Sequence, residues 1–257
     1  MSHKKIRVQK ITGAAYDRGF QHGSAHRDAI RHYTEERITL VQGGQWTGKK
    51  KVSRQEVLSI AEAMLPHHQS YAADIYEEMR GMADGCGLSL AEMVVVGGFT
   101  DFIDTVYNNY KMSKPLSPEL AIDDRTAFIV PNERAGGSGF FGQTWDMHDT
   151  ATEFVILLDV DPAEGEGPGS LVFTTTGCVG QIGMNEHGVA IGINNLLGAD
   201  GQIGVTWPFV VRKALQQDNV EDALACITDA TQAGAHNNLI FDKSGKGYNV
   251  EAMATRY

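Results

Sequence analysis

Cysteine, positive charge and long apolar runs are all scarce in this chain. Three cysteines among 257 residues, none in Cys-x-x-Cys spacing, exclude a disulfide framework and predict a reducing, cytoplasmic setting. No apolar run reaches the length of a membrane-spanning helix, and the first residues lack the apolar core of a signal peptide. With 22 Lys and Arg against 32 Asp and Glu, the formal charge is -10, so we expect neither nucleic acid nor a membrane as partner.

Familiar phosphate and metal motifs are missing as well. Gly43–Lys49 has Gly-x-x-x-x-Gly-Lys spacing, but Lys50 stands where a phosphate-binding loop needs Ser or Thr, so we interpret it as a solvated loop. The sequence contains no His-Glu-x-x-His motif, and we predict neither a metal nor a cofactor. The histidines of the first helical segment are predicted to be surface residues: His22, His26 and His32.

The chain changes character near residue 125. The first segment is predicted to be mainly helical, with one helix over 14–41 and another over 68–82. Between them, a capping box at Ser53 and Glu56 begins a further helix, which Pro66 stops or kinks. The second segment has short strands at 126–130, 154–160, 171–176, 189–193, 239–241 and 248–251, and helices over 208–217 and 220–231. Strands with helices inserted in one block predict an α+β fold rather than alternating βαβ units.

The predicted strand at 248–251 lies close to the last residue, Tyr257. An uncovered edge strand exposes unpaired backbone groups. We therefore expect a second chain, such as another copy in a homo-oligomer, or a further segment to cover that edge.

The most informative stretch is a predicted hairpin. Residues 124–130 read Asp-Arg-Thr-Ala-Phe-Ile-Val, and residues 142–146 read Gly-Gln-Thr-Trp-Asp after a glycine-rich turn. Such a hairpin places the start of its first strand near Asp146, where a carboxylate can hold an ammonium group. Composition alone favours the plainer interpretation, in which Trp145 and Asp146 are an aromatic residue and a turn cap.

This hairpin resembles the acyl-coenzyme A:6-aminopenicillanic acid acyltransferase family, also called the C45 peptidase-like family. Its members carry Cys-Thr at the start of the first strand and Gly-Gln-Asn-Trp-Asp at the return. Four further segments resemble family motifs in the same order: 13–23, 80–89, 180–190 and 236–251. The resemblance implies the four-layer αββα sandwich of N-terminal-nucleophile hydrolases. Residues 1–124 would then be a precursor segment and 125–257 an incomplete nucleophile segment of one domain.

The resemblance also implies a mechanism and a substrate class. Family members are zymogens that cut themselves at the position between Asp124 and Arg125, and the freed cysteine attacks an amide or thioester with its own α-amine as base. Asp146 matches the acid that orients the new N-terminus, and Asn237 matches the asparagine that stabilises the oxyanion. The implied substrate is a small amide or an acyl-thioester.

Two features depart from the family pattern. Arg125 stands in place of the cysteine, and a guanidinium group cannot act as a nucleophile. Family chains also continue past the position of Tyr257. Three interpretations stay open: an enzyme whose parent has cysteine at 125, an inactive relative that binds a ligand or partner, or an enzyme that uses Thr126. A shift of one residue turns the Thr126 side chain to the other face of the strand, which weighs against the third.

Two further groups have less specific predictions. The cysteines are predicted to be structural: Cys86, Cys178 and Cys226. Four aromatic residues before position 125 are predicted either to line an acyl pocket or to pack in the core: Phe99, Phe102, Tyr107 and Tyr110.

Overall fold

The structure, a computed structural model, describes residues 5–43, 51–109, 126–196 and 200–257. Asp124 and Arg125, and all but the first residue of the loop predicted at 43–49, lie outside these ranges. The helices are α1 (Ala15–Ala25), α2 (Arg27–Gln42), α3 (Arg54–Tyr71), α4 (Ala73–Cys86), α5 (Leu90–Gly97), α6 (Phe99–Asn109), α7 (Trp207–Ala214) and α8 (Val220–Thr228). The strands are β1 (Arg7–Gly13), β2 (Ala127–Val130), β3 (Phe140–Gln143), β4 (Val155–Pro162), β5 (Ser170–Thr175), β6 (Ile182–Asn185), β7 (Ala190–Asn195), β8 (His236–Phe241) and β9 (Gly247–Ala252).

Local sequence signals begin several helices at the predicted places. Ser53 and Glu56 form the predicted capping box, in which each accepts a hydrogen bond from the other's backbone N–H. Asn219 caps α8, and its side chain accepts a hydrogen bond from the Asp222 N–H. α3 continues through Pro66, because buried residues on both sides keep that helix packed against the core despite the missing N–H.

The helix predicted over 14–41 is instead two helices. α1 ends at Ala25 and α2 begins at Arg27, so the chain breaks at His26 and not at the glycines inside α1. Four glycines lie where α1 crosses α4: Gly19, Gly23, Gly81 and Gly85. A Cβ added at Gly19 would lie 1.8 Å from the Glu78 carbonyl oxygen, and one at Gly81 would lie 2.0 Å from that of Tyr16. These glycines let the two backbones touch.

A buried ion cluster connects the crossing of α1 and α4 to α7. The Glu78 carboxylate accepts hydrogen bonds from Arg18 Nε at 3.1 Å and from Arg212 Nη2 at 2.7 Å. These three side chains are buried, with exposed fractions of 1% for Glu78, 2% for Arg18 and 4% for Arg212. Arg18 also donates to Glu166 at 2.6 Å. Three helices are thereby joined through one carboxylate.

Seven strands form one mixed sheet in the order β1-β4-β5-β6-β7-β8-β9. β1 pairs with β4 in parallel, and the other neighbouring pairs are antiparallel. In β4, Ile156, Leu158 and Val160 are buried while the residues between them are more exposed, as expected for a sheet with one face on the core. The helical half thus contributes β1 to this sheet, and the predicted last strand, β9, lies at its other edge.

The β2–β3 hairpin lies on the face of the sheet opposite to the helices. Phe141 and Gln143 contact Gly192 of β7, and Ile129 contacts Gly247 of β9. Helices, large sheet and hairpin form three layers within the described residues, which confirms the predicted α+β sandwich. The fourth layer of the αββα arrangement stays a prediction.

Candidate functional site

One hydroxyl group links the start of β2 to the acid at the end of the hairpin. Thr144 Oγ1 accepts a hydrogen bond from the Thr126 backbone N–H at 3.0 Å and donates one to Asp146 Oδ2 at 3.1 Å. The Thr144 N–H in turn donates to the Thr126 carbonyl oxygen at 2.8 Å. The hairpin therefore holds Asp146 two hydrogen bonds from the backbone nitrogen that follows position 125.

The turn of the hairpin supports this register. Asn132 Oδ1 accepts a hydrogen bond from the Gly139 N–H at 2.7 Å, and Gly136 and Gly137 adopt positive φ angles, which glycine tolerates best. Val130 then pairs with Phe140, and the ladder runs down to the open end near Thr126. Local turn chemistry thus sets which residues meet at that end.

Gln143 fastens the hairpin to the large sheet. Its Oε1 accepts a hydrogen bond from the Ile193 N–H at 2.7 Å, and its Nε2 donates to the Ile193 carbonyl oxygen at 3.0 Å. The same Nε2 lies 3.3 Å from Asn194 Oδ1. Because one amide meets both backbone groups of a β7 residue, the hairpin has a fixed position over the end of that strand.

Asn237 lies one strand further along the sheet. It pairs with Asn194 of β7 and, on the other side, with Glu251 of β9. Its half-buried side chain donates a hydrogen bond to Asn249 Oδ1 at 2.5 Å. Because Asn194, its partner on β7, contacts Gln143 of the hairpin, Asn237 lies on the hairpin face of the sheet.

A small cavity opens where β7 ends and β8 begins. Its volume is about 30 Å³, space for about one or two water molecules. The segment after β3, the two strand ends and the helical layer form its lining: Thr100, Trp145, Asp146, Met147, Ile193, Asn194, Asn195, Trp207 and His236. Asp146 lines this cavity, whereas Thr126 and Asn237 lie outside its lining.

The helical wall of the cavity carries a group of neighbouring polar side chains that no sequence motif predicts. His236 Nδ1 lies 3.2 Å from Asp101 Oδ1, and His236 Nε2 lies 3.4 Å from Thr100 Oγ1. Trp207 donates twice, from Nε1 to Thr100 Oγ1 at 3.0 Å and from its backbone N–H to Asp101 Oδ2 at 2.6 Å. Sequence reasoning missed this group because its members come from α6, α7 and β8 and share no local spacing.

Burial dominates the electrostatics of this wall. The Asp101 and His236 side chains are 1% and 2% exposed. Burial raises the pKa of the Asp101 carboxyl well above its usual range, the hydrogen bond from the Trp207 N–H opposes that rise, and the Asp104 carboxylate adds to it.

The prediction that His22 is a surface residue is wrong. His22 is fully buried, and its Nε2 accepts a hydrogen bond from the Gly177 N–H at 3.3 Å. Its neighbours one turn away, Arg18 and Gly19, are also buried, so this face of α1 belongs to the core despite its polar composition. Burial lowers the pKa of His22 to about 3, and the imidazole is neutral.

The cysteines and the described aromatic residues have structural positions. The three thiols are buried, and burial raises their pKa values, that of Cys226 to about 11, so none is a ready thiolate. This confirms their predicted structural role. Phe99 and Phe102 pack in the core, with exposed fractions of 7% and 0%, while Tyr110 and the side chain of Tyr107 lie outside the described residues.

Two kinds of feature are absent from the ranges that the structure describes. No three His, Cys, Asp or Glu side chains there converge to hold a metal ion. None of the helices in those ranges is long and apolar enough to span a membrane.

Comparison with known proteins agrees with this architecture. Residues 133–257 match the family model described as acyl-coenzyme A:6-aminopenicillanic acid acyl-transferase, a range that includes Asp146 and Asn237 but begins after position 125. The chain is also similar to the acyl-coenzyme A:6-aminopenicillanic-acid-acyltransferase 40 kDa form of Emericella nidulans, with 22% identity over 241 residues. The similarity covers 93% of this chain but 61% of that relative. The chain thus matches less than two thirds of the relative's length.

Proposed function

We propose that the chain is a member of the acyl-coenzyme A:6-aminopenicillanic acid acyltransferase-like family, and that its scaffold serves acyl transfer from, or hydrolysis of, a small amide or thioester. The observation that carries the proposal is the link from the Thr126 N–H through Thr144 to Asp146. It supports a carboxylate held ready beside the chain end that cleavage before position 125 would create.

The chemistry at that end needs a nucleophile whose own α-amine acts as base. An α-amine has a reference pKa of about 7.7–8.0, so a sizeable part of it is neutral near pH 7 and can take a proton from the attacking thiol or hydroxyl. A carboxylate nearby orients the amine, and Asp146 fits that role. The acyl group then bonds to the nucleophile while the leaving amine or thiolate takes up the proton.

The oxyanion of that step needs a hydrogen-bond donor. Asn237 is our candidate, through its Nδ2 group, which donates to Asn249 in this structure. Asn194, directly beside it on β7, lines the cavity and connects Asn237 to the hairpin. Losing one such donor typically lowers the rate by about 10²–10³-fold.

Arg125 decides what the chain as written can do. Its guanidinium stays protonated, so neither self-cleavage nor acyl-enzyme formation takes place at that position. Arg125 favours a second candidate function, in which the chain is an inactive relative that binds a ligand or partner through the retained scaffold. Thr126 is the third candidate, reached by cleavage after Arg125.

Substrate, partner and location follow from the same premise. We propose a small-molecule amide or acyl-thioester substrate, no nucleic-acid partner because of the -10 charge, and a reducing cytoplasmic location because of the free thiols. The backbone edge of β9 is the surface that we propose a second copy or another chain covers.

Intact mass under denaturing conditions, with protease inhibitors present, tests these candidates on the chain as written. We expect one uncut chain. Two chains that break before Thr126, in the wild type and in an Arg125→Gln control alike, would instead make threonine the nucleophile. A thermal shift of the uncut chain with 6-aminopenicillanic acid or an acyl-coenzyme A, absent for Asn237→Ala, would favour the binding function.

A further inference from the structure

The cavity wall that faces Asp146 carries a hydroxyl, an imidazole and a carboxylate in sequence. We propose that Thr100, His236 and Asp101 form a second acyl-transfer group, in which Thr100 is the nucleophile for a small ester or thioester. This group needs no cleavage of the chain and no particular residue at position 125, so it does not rest on the function proposed above.

The geometry is that of a nucleophile, a base and an orienting acid. A single imidazole faces the other two groups through opposite ring nitrogens: Nε2 lies 3.4 Å from Thr100 Oγ1, and Nδ1 lies at an ion-pair distance of 3.2 Å from Asp101 Oδ1. The first distance is long for a hydrogen bond, as is common in catalytic groups before substrate binds. The order of the three residues along the chain does not matter, because the chemistry depends only on their arrangement in space.

Trp207 directs the protons of this group. Its indole N–H donates to Thr100 Oγ1, which leaves the threonine's own hydrogen free to point at His236 Nε2. Its backbone N–H donates to Asp101 Oδ2 and leaves Oδ1 toward His236 Nδ1. This arrangement suits an imidazole that carries its proton on Nδ1 and accepts at Nε2.

The surroundings suit a base that works out of contact with bulk water. Asp101 and His236 are almost fully buried, whereas Thr100 is half-buried and lines the cavity. The side chains of Asn194 and Asn195 line the same cavity, and side-chain amides are among the donors that stabilise an oxyanion. A cavity of about 30 Å³ has space for about one or two water molecules, so only the smallest acyl groups would enter it and the leaving group would stay outside.

The reaction forms and breaks one bond in each half. Thr100 Oγ1 bonds to the acyl carbon while its proton moves to His236 Nε2, and the bond from that carbon to the leaving oxygen or sulfur breaks. His236 then gives the proton to the leaving group. Water, with His236 again as base, cleaves the threonine ester and restores the hydroxyl.

Acetylation of the full chain by p-nitrophenyl acetate, followed by peptide mapping, tests the proposal. We expect one acetyl group on Thr100 in the uncut wild-type chain, which requires no variant to fold. Thr100→Ser keeps the label, Thr100→Val loses it, and His236→Gln slows labelling by about 10²–10⁴-fold. Thr152→Val removes an exposed hydroxyl elsewhere and labels like the wild type.

Other outcomes overturn the proposal. An acetyl group on Thr126 at a newly formed N-terminus would assign acyl transfer to the hairpin instead. Labelling confined to lysines, or a rate at Thr100 that His236→Gln leaves unchanged, would make the buried network a purely structural one. Cleavage of an Arg125→Cys chain has no bearing on these results, so the two proposals fail separately.

Discussion

The Thr126 backbone N–H donates to Thr144 Oγ1, and this hydroxyl is the bridge to the Asp146 carboxylate. In an Arg125→Cys chain, the new α-amine would precede this nitrogen by one residue, and we expect the Asp146 carboxylate to orient it. We expect Asp146→Asn in that background to slow cleavage and acyl transfer by about 10²-fold, because a small misplacement of a reacting group costs about that much. Rates of chain cleavage followed by gel or mass analysis measure this.

Asp149→Asn is the matched control for that experiment. Asp149 is an exposed acid three residues further on, outside the cavity lining. Equal rates for the Asp146 and Asp149 variants would show that the hairpin carboxylate does not orient the amine.

The substitution Gly19→Ala distinguishes the effect of helix propensity on stability from the effect of packing between helices. Gly→Ala inside a helix usually stabilises by about 0.5–1 kcal/mol, but a Cβ here would lie 1.8 Å from a backbone oxygen of α4. We therefore expect Gly19→Ala to lower the free energy of unfolding by about 1–3 kcal/mol or more. Urea denaturation gives the sign directly. In Gly97→Ala the new Cβ meets its nearest neighbour at 3.5 Å, and stability should stay close to wild type.

The substitution Glu78→Gln tests how much the buried ion cluster contributes to stability. Glu78→Gln leaves two buried guanidinium groups around a neutral amide, so we expect the free energy of unfolding to fall by about 3–5 kcal/mol. The adjacent Glu77 forms an exposed pair with Arg80, and Glu77→Gln should change stability by at most about 1 kcal/mol. Similar losses for both variants would contradict the role of the Arg18–Glu78–Arg212 cluster.

Two buried histidines predict sensitivity to acid. Burial lowers the pKa of His68 to about 4 and that of His22 to about 3, from an ordinary value of 6.5. The unfolded chain takes up these protons first, so stability is full above pH 6.5 and is lost as pH falls toward the folded pKa values. Each histidine contributes about 1.4 kcal/mol per pH unit in that window.

Denaturation midpoints measured between pH 7 and pH 4 test whether stability falls with pH as predicted. His68 accepts from Thr206 at Nε2 and contacts the Met64 carbonyl oxygen through Nδ1, so His68→Gln can keep polar contacts while it removes the titration. We expect a shallower slope for this variant and the wild-type slope for the exposed His32→Gln. A slope that His68→Gln leaves unchanged would contradict the account.

Local signals predicted much of the fold, and tertiary contacts decided the rest. The Ser53 capping box and all six predicted strands are confirmed because turn and cap chemistry acts over a few residues. An equivalent capping box of Ser89 and Glu92 begins α5, and its Ser-x-x-Glu spacing is a local signal of the same kind. His22 and the break at His26 depend on which face of α1 meets α4, which composition does not reveal.

Part of the candidate site could likewise be predicted from local sequence, and part could not. Asp146 was predicted from a hairpin that local pairing creates, and Thr144 could have been found by the same reasoning. Asp101 and His236 lie 135 positions apart and meet only because β8 runs past the start of α6. A sequence pattern cannot anticipate such a contact.

The intact mass of an Arg125→Cys chain, purified with protease inhibitors and analysed under denaturing conditions, tests the central claim most directly. We predict two chains that part between residues 124 and 125, together with an uncut wild-type chain and an uncut Arg125→Gln control. A restored chain that folds, as shown by a cooperative unfolding transition, and yet stays whole would contradict it and leave the binding function as the better explanation.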